Sequence, residues 1–91
     1  LEEGMIISNE PGYYKKNHYG IRIENLIYIK KNNKKLQFEN LTLVPVEKDL
    51  INYDLLNKNE KNYLFNYHLN VYTKHSKFLN KKEKKWLAGL I

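Results

Sequence analysis

Two segments near the start of the chain decide its fold: Ser8-Asn-Glu-Pro-Gly-Tyr-Tyr14 and Gly20-Ile-Arg-Ile-Glu-Asn25. Runs rich in β-branched and aromatic residues are typical of strands. Such apolar runs flank both segments, at Met5-Ile-Ile7 and at Leu26-Ile-Tyr-Ile29. Each segment therefore places one glutamate beside or within a predicted strand.

The second segment combines apolar and charged residues in alternation. Period-two alternation places Arg22 and Glu24 on one face of a strand. The other face then carries Ile21, Ile23, Ile27 and Ile29. A charged pair between rows of isoleucine is costly to bury unless it is paired or bound to something. We interpret this pair as part of a site.

The first 46 residues predict antiparallel strands. The first strand ends at Glu10, because proline cannot donate to a ladder and glycine permits unusual dihedral angles. We expect a connecting loop over 13–19 and a hairpin tip within 30–35, where asparagines tolerate turns. The strands are predicted at 5–10, 21–29, 36–38 and 41–46, with a break near Glu39-Asn40.

After Val46 the sequence becomes helical. Asn57 and Asn80 are each followed three residues later by glutamate, the layout of a capping box. Apolar residues then recur at three- and four-residue intervals, as on one face of a helix. The predicted fold class is α+β, with strands over 1–46 and a two-helix extension over 47–91.

Composition narrows the function classes. With 91 residues the chain is one small domain at most or part of a larger one, and because it opens on leucine we expect a piece of something longer. No cysteine is present, which excludes disulfides and thiolate zinc sites, and no apolar run suggests a membrane span.

The net charge of +6 comes from 16 basic residues of which only Arg22 is arginine. We expect solvated lysines rather than a nucleic-acid surface, where arginine is favoured.

Other titratable residues are interpreted as structural. We expect His18 in a solvent-facing loop and Glu39 on the surface. His68 and His75 lie two turns apart on one helical face, about 10 Å by helix rise, so packing is expected rather than joint metal ligation.

The pattern of Glu10-Pro-Gly-Tyr-Tyr, eight residues, then Gly20-Ile-Arg-Ile-Glu-Asn25 resembles the end of the catalytic domain of Xaa-Pro aminopeptidases. These are dinuclear metallopeptidases of the pita-bread fold. Phe38-Glu-Asn-Leu-Thr-Leu-Val-Pro45 and the helical tail resemble the C-terminal extension of the same family.

The resemblance implies specific roles. Glu10 would be a metal ligand that also takes a proton from the attacking water, and Glu24 would bridge two divalent ions, with Mn²⁺ expected. Arg22 would hold a neighbouring ligand carboxylate. The substrate would be a peptide with proline in second position, cleaved by a metal-bridging hydroxide.

The resemblance also implies a setting. The remaining metal ligands and catalytic histidines of the family would lie in the rest of the parent chain, so these 91 residues alone are expected to be inactive. A cytoplasmic homodimer is expected. Two alternatives stay open: a prolidase-like dipeptidase of the same fold, and a catalytically inactive binding module that uses the basic helices.

Overall fold

The computed structural model describes all 91 residues, which form two compact units, residues 1–42 and residues 43–91. The first unit is made of antiparallel strands and the second of helices, so the predicted fold class is confirmed. The assignment of 1–46 to a catalytic domain and 47–91 to an extension stays a prediction. The strands are β1 (Ile6–Asn9), β2 (Gly12–Lys15), β3 (Tyr19–Arg22), β4 (Asn25–Asn32) and β5 (Lys35–Asn40). The helices are α1 (Lys58–Ser76) and α2 (Lys81–Gly89), preceded by two 3₁₀ turns, Lys48–Leu50 and Tyr53–Leu55.

The strands form two antiparallel pieces, a sheet in the order β1-β4-β5 and a ribbon of β2 and β3. The β4–β5 hairpin closes through Asn33 and Lys34, both with positive φ, between the paired residues Asn32 and Lys35. Two-residue hairpin loops favour this geometry because it matches the twist of the strands. The predicted hairpin tip within 30–35 is confirmed.

The loop predicted over 13–19 is wrong, because most of it is strand. Tyr13 and Tyr14 lie in β2 and pair with Ile21 and Gly20 of β3. Tyrosine favours a pleated surface, and the reversal needs only residues 16–18, where Asn17 takes a φ of 62°. The strand predicted over 21–29 is likewise divided at residues 23–24.

The end of the last strand also differs from the prediction. β5 continues through Glu39 and stops at Asn40, whereas 41–46 is not a strand. Asn40 pairs with Ile27, which lies close to the start of β4. Only two residues of β4 remain with which a longer β5 could pair. Pro45 lacks the amide that a ladder needs.

The buried residues of the first unit lie in β4. Ile27 and Ile29 are buried, whereas Ile21 and Ile23, expected on the same face, are 56% and 53% exposed. The predicted row of four isoleucines is therefore wrong in its first half, because the break at residues 23–24 separates it.

Both predicted capping boxes are present. The Asn57 side chain accepts the Glu60 amide at 2.8 Å, and the Glu60 carboxylate accepts the Asn57 amide at 2.9 Å. The reciprocal pair at Asn80 and Glu83 has both distances at 2.9 Å. Each box pairs amides that a helix start leaves without intrahelical partners. Neither α1 nor α2 combines the length and the hydrophobicity that a membrane-spanning helix requires.

Side chains of α1 hold the extended segment 43–46, which we call the strap. The Tyr67 hydroxyl donates to the Val44 carbonyl at 2.6 Å. His75 Nε2 lies 2.8 Å from the Leu43 carbonyl, which requires an N–H at that nitrogen. The packing role predicted for His68 and His75 is confirmed, since His68 is 3% exposed. Both rings bond main chain of the strap.

His68 Nε2 accepts the Val46 amide at 3.0 Å, so that nitrogen carries no proton. Burial lowers the pKa of His68 below its ordinary value of 6.5. Protonation would put a second donor against the Val46 N–H and would charge a buried ring. The strap is therefore best held when His68 is neutral.

We expect stability to depend on pH through His68. Because its pKa is lower in the folded state than in the unfolded state, its contribution is fully present above about pH 6.5 and is lost as the pH falls below that value. Imidazole C2 hydrogen exchange, followed by mass spectrometry, should give His68 a lower pKa in the native protein than in urea. His68→Gln, which keeps a non-titrating acceptor, should weaken the pH dependence of unfolding between pH 5 and 7. Equal native and unfolded pKa values would contradict this account.

Candidate metal centre

The two glutamates of the sequence motif lie at the junction of the two β-structures. The β1–β4 ladder ends with the pair Asn9 and Asn25, and the β2–β3 ribbon begins with the pair Gly12 and Arg22. Glu10 follows β1 and Glu24 precedes β4. The two pairings therefore place these residues on facing segments of the chain.

One main-chain hydrogen bond closes the junction. The Ile23 amide donates to the Pro11 carbonyl at 3.0 Å, between the two ladders. Proline has no amide to return a bond, so regular pairing is interrupted there. The two glutamates flank this interruption, since Glu10 precedes Pro11 and Glu24 follows Ile23.

Arg22 joins the two carboxylates. Its Nη2 lies 3.2 Å from Glu24 Oε2, and its Nε lies 3.9 Å from Glu10 Oε1. The second oxygen of Glu10 accepts the Ser8 hydroxyl at 3.0 Å. The structure thus brings together all three site residues that the sequence predicted.

Tyr14 is a fourth member that the sequence interpretation did not assign. A hydrogen bond that the Arg22 guanidinium donates to the Tyr14 side chain is the largest cause that raises the pKa of Arg22, and the charges of Glu24 and Glu10 also raise it. The guanidinium therefore stays charged, as it does in nearly all proteins. Because the Arg22 side chain is half exposed, water screens these interactions and they contribute little to the stability of the fold.

Two glycines make room for the Tyr14 ring. A Cβ at Gly20 would lie 2.6 Å from Tyr14 Cδ1, and one at Gly12 would lie 2.8 Å from Tyr14 Oη. The ring therefore lies across the ribbon with its hydroxyl toward Arg22. Alternation in a paired ribbon could have revealed this, because residues 12, 14, 20 and 22 share one face.

The site is more exposed than the sequence suggested. The side chains of Arg22, Glu24 and Glu10 are 50%, 49% and 40% exposed. The charged pair is therefore half exposed rather than buried between rows of isoleucine. A shared guanidinium, rather than exclusion of water, distinguishes these carboxylates from ordinary surface acids.

The chain supplies part of a metal site. Two adjacent carboxylates fit hard divalent cations such as Mg²⁺ or Mn²⁺, which prefer oxygen ligands. No group of three or more histidine, cysteine, aspartate or glutamate side chains in the chain could hold a metal ion. A complete centre of this kind would need further ligands.

The residues interpreted as structural lie apart from this site. His18 is exposed, and its ring contacts the Lys16 carbonyl at 2.8 Å. Glu39 pairs with Lys30 at 3.2 Å across β4 and β5. Both surface predictions are confirmed.

The second unit contains a groove of about 210 Å³ between α1 and α2. Its lining is mostly apolar, with polar groups only on Tyr72 and on His68, which is already bonded to the strap. It offers no group of polar residues that could act on a substrate. The groove is lined by Phe65, His68, Leu69, Tyr72, Ala88 and Ile91.

Comparison with protein families divides the chain between two adjacent models. Residues 1–31 match metallopeptidase family M24, and residues 34–89 match the C-terminal region of peptidase M24. Among curated proteins, the chain is 39% identical over 101 residues to Xaa-Pro aminopeptidase 1 of Dictyostelium discoideum, covering 100% of this chain and 16% of the relative. It is 38% identical over 87 residues to aminopeptidase P2 of Arabidopsis thaliana, covering 87% of this chain and 12% of the relative.

A solved structure shows the same arrangement. X-prolyl aminopeptidase from Caenorhabditis elegans, described as a cytosolic enzyme with a di-nuclear active site, superposes with a TM-score of 0.81 at 35% identity. The match covers 99% of this chain and 16% of that protein, so the chain spans about one-sixth of the length of such a relative. The order of the two matched regions and this likeness show that the chain belongs to metallopeptidase family M24, with the C-terminal region found in Xaa-Pro aminopeptidases.

Proposed function

We propose that the full-length protein is a dinuclear metal-dependent Xaa-Pro aminopeptidase and that this chain contributes Glu10 and Glu24 as metal ligands. The observation that supports this most is the approach of both carboxylates to one guanidinium at a strand junction. Relatives that share the whole of this region are Xaa-Pro aminopeptidases.

The two glutamates take different roles in this proposal. Glu24 would hold both ions, because a carboxylate has two oxygens and its negative charge would offset repulsion between cations. Glu10 would hold one ion and would take a proton from the attacking water. The bound ions would supply polarisation of the peptide carbonyl and a lower pKa for that water.

The neighbours of the glutamates orient them. Arg22 pairs with one oxygen of each carboxylate, and the Ser8 hydroxyl donates to the other oxygen of Glu10. Fixing one oxygen of a ligand limits the rotations available to the other. The bond that Arg22 donates to Tyr14 limits the guanidinium in turn. We propose that this network sets the angle at which each carboxylate meets the metals.

The ions are proposed to be Mn²⁺, since a site of carboxylate oxygens suits manganese better than softer metals. The family's further ligands and its catalytic histidines are proposed to come from the remainder of the parent chain. A cytosolic location is proposed by analogy with the solved relative, which is described as cytosolic. The homodimer is proposed only from the family resemblance.

The substrate is proposed to be a peptide whose second residue is proline. The C-terminal region over residues 34–89 favours the longer aminopeptidase type over a prolidase that acts on dipeptides. A tripeptide or longer substrate distinguishes the two directly. An inactive binding module would cleave neither kind of peptide.

Glu24→Gln should strongly reduce metal occupancy of the full-length protein and abolish cleavage before proline. A neutral amide bridges two cations poorly, because it lacks the charge and one of the two equivalent oxygens. Metal content measured by mass spectrometry and turnover of an Xaa-Pro-Xaa peptide provide the two readouts.

Glu39→Gln is the matched control for this substitution. Glu39 is a half-exposed glutamate of the same unit that pairs with a lysine rather than Arg22. Its loss should leave turnover within about twofold, because exposed ion pairs contribute little. Equal losses from Glu24→Gln and Glu39→Gln would show that the metal site is elsewhere. A dipeptidase without activity on longer peptides would indicate the prolidase alternative.

Gly20→Ala should reduce kcat/KM by about tenfold, the lower end of the effect expected from groups that support metal ligands. The new methyl group would overlap the Tyr14 ring, so the ring must leave its place beside Arg22. Tyr14→Phe should have a similar effect, and the two substitutions together should cost little more than either alone. The peptide assay on the single and double variants measures this coupling.

Gly89→Ala is the control, because a Cβ there meets no atom within 4 Å. It should leave kcat/KM unchanged. Fully additive losses from Gly20→Ala and Tyr14→Phe would mean that the glycine does not act through the tyrosine.

A further inference from the structure

The start of β4 is held on its outer edge by a side chain rather than by a strand. β5 stops at Asn40, which pairs with Ile27. The same antiparallel register would next place Leu41 opposite Leu26. In such a pair the two residues exchange both main-chain hydrogen bonds.

Only one of those two bonds takes the ladder form. The Leu41 amide donates to the Leu26 carbonyl at 2.8 Å, and the Thr42 amide donates to the same carbonyl at 3.2 Å. The Leu26 amide instead donates to Thr42 Oγ1 at 2.8 Å. The threonine hydroxyl therefore substitutes for the carbonyl that a continuing β5 would present.

Leu26 is two residues beyond Glu24. On its other edge β4 pairs with β1 through Ser8 and Leu26, and through Asn9 and Asn25. Asn9 directly precedes Glu10. Both main-chain polar groups of Leu26 face residues 41–42, and Leu26 directly follows Asn25, whose pairing with Asn9 lies next to both glutamates. Thr42 thus completes the hydrogen bonding of the residue that follows this pair in β4.

We propose that Thr42 is a positioning residue for the metal centre: its hydroxyl pins the first residues of β4 and so sets where Glu24 meets the metals. In this proposal Thr42 acts through the Leu26 amide, to which its hydroxyl is bonded. This inference rests on the proposed function, since it assumes that Glu24 binds metal.

The test uses Thr42→Val in the full-length protein. Valine has nearly the same shape but offers no acceptor, so the Leu26 amide loses its partner. We expect the dissociation constant for Mn²⁺, measured by titration calorimetry on metal-free protein, to rise about tenfold. Hydrogen–deuterium exchange should become faster in the peptide that contains Leu26. Thr42→Ser, which keeps the hydroxyl, should recover most of the affinity.

The chain contains one other threonine, which provides a matched control. Thr73 is exposed on α1, so Thr73→Val makes the same chemical change away from the sheet. It should leave both the Mn²⁺ affinity and the exchange at Leu26 as they are in the wild type. A rise equal to that of Thr42→Val would overturn the inference.

Other outcomes separate this inference from the proposed function. If Glu24→Gln loses Mn²⁺ but Thr42→Val binds it within twofold of the wild type, only the role of Thr42 is wrong. The same conclusion follows if Thr42→Ser is no better than Thr42→Val. If the wild type binds no Mn²⁺, both proposals fail.

A folding defect is also informative. Thr42→Ala serves as a second variant, because alanine removes the acceptor without adding a methyl group in its place. If neither Thr42→Val nor Thr42→Ala folds, Thr42 supports the fold as a whole, and its specific role at the metal centre is overturned.

Discussion

One guanidinium shared by two carboxylates is the interaction on which the candidate site depends. Arg22 lies between Glu10 and Glu24 because two antiparallel ladders meet there end to end. Glu10 and Glu24 are fourteen residues apart in the sequence. Without the Asn9–Asn25 and Gly12–Arg22 pairs, the distance between them would not be fixed. Strand pairing therefore brings the two glutamates together, and the arginine orients their carboxylates.

The use of arginine at this one position has a physical reason. The chain has 16 basic residues, and Arg22 is the single arginine among them. A guanidinium presents several donors in a fixed plane, so it can bond two carboxylates on different edges. The ammonium of a lysine is a point charge on a flexible stem, so it would fix the direction of neither contact. The single arginine of the chain thus lies where two carboxylates must be held in a fixed geometry.

Much of this arrangement was predictable from sequence because its signals are local. The capping boxes at Asn57 and Asn80 each depend on residues three apart, and the hairpin tip depends on asparagine at a turn. The choice of Glu10, Glu24 and Arg22 came from a recognisable motif, and the structure brings the three together. Their ligand roles remain proposals.

What sequence reasoning missed depends on pairing between distant segments. The loop predicted over 13–19 covers most of β2, because the strand character of two adjacent tyrosines becomes evident only when Gly20 and Ile21 face them. The end of β5 at Asn40 is likewise set by the position at which β4 begins. The sequence of β5 alone does not predict that end. Thr42 is a similar case, because its hydroxyl accepts the Leu26 amide at a position where no strand supplies a carbonyl.

The charge of Arg22 explains why the two carboxylates can lie on facing segments. Two like charges on facing segments would repel and separate, or one would gain a proton. The positive charge of Arg22 between them offsets that repulsion, and the half-exposed site lets water screen the remainder. One negative charge is left over, which attracts a cation but, with no third ligand from this chain, cannot enclose it. The orientation of the two proposed ligands is thus set by the backbone and by Arg22, and in the proposed enzyme residues outside the chain would complete the site.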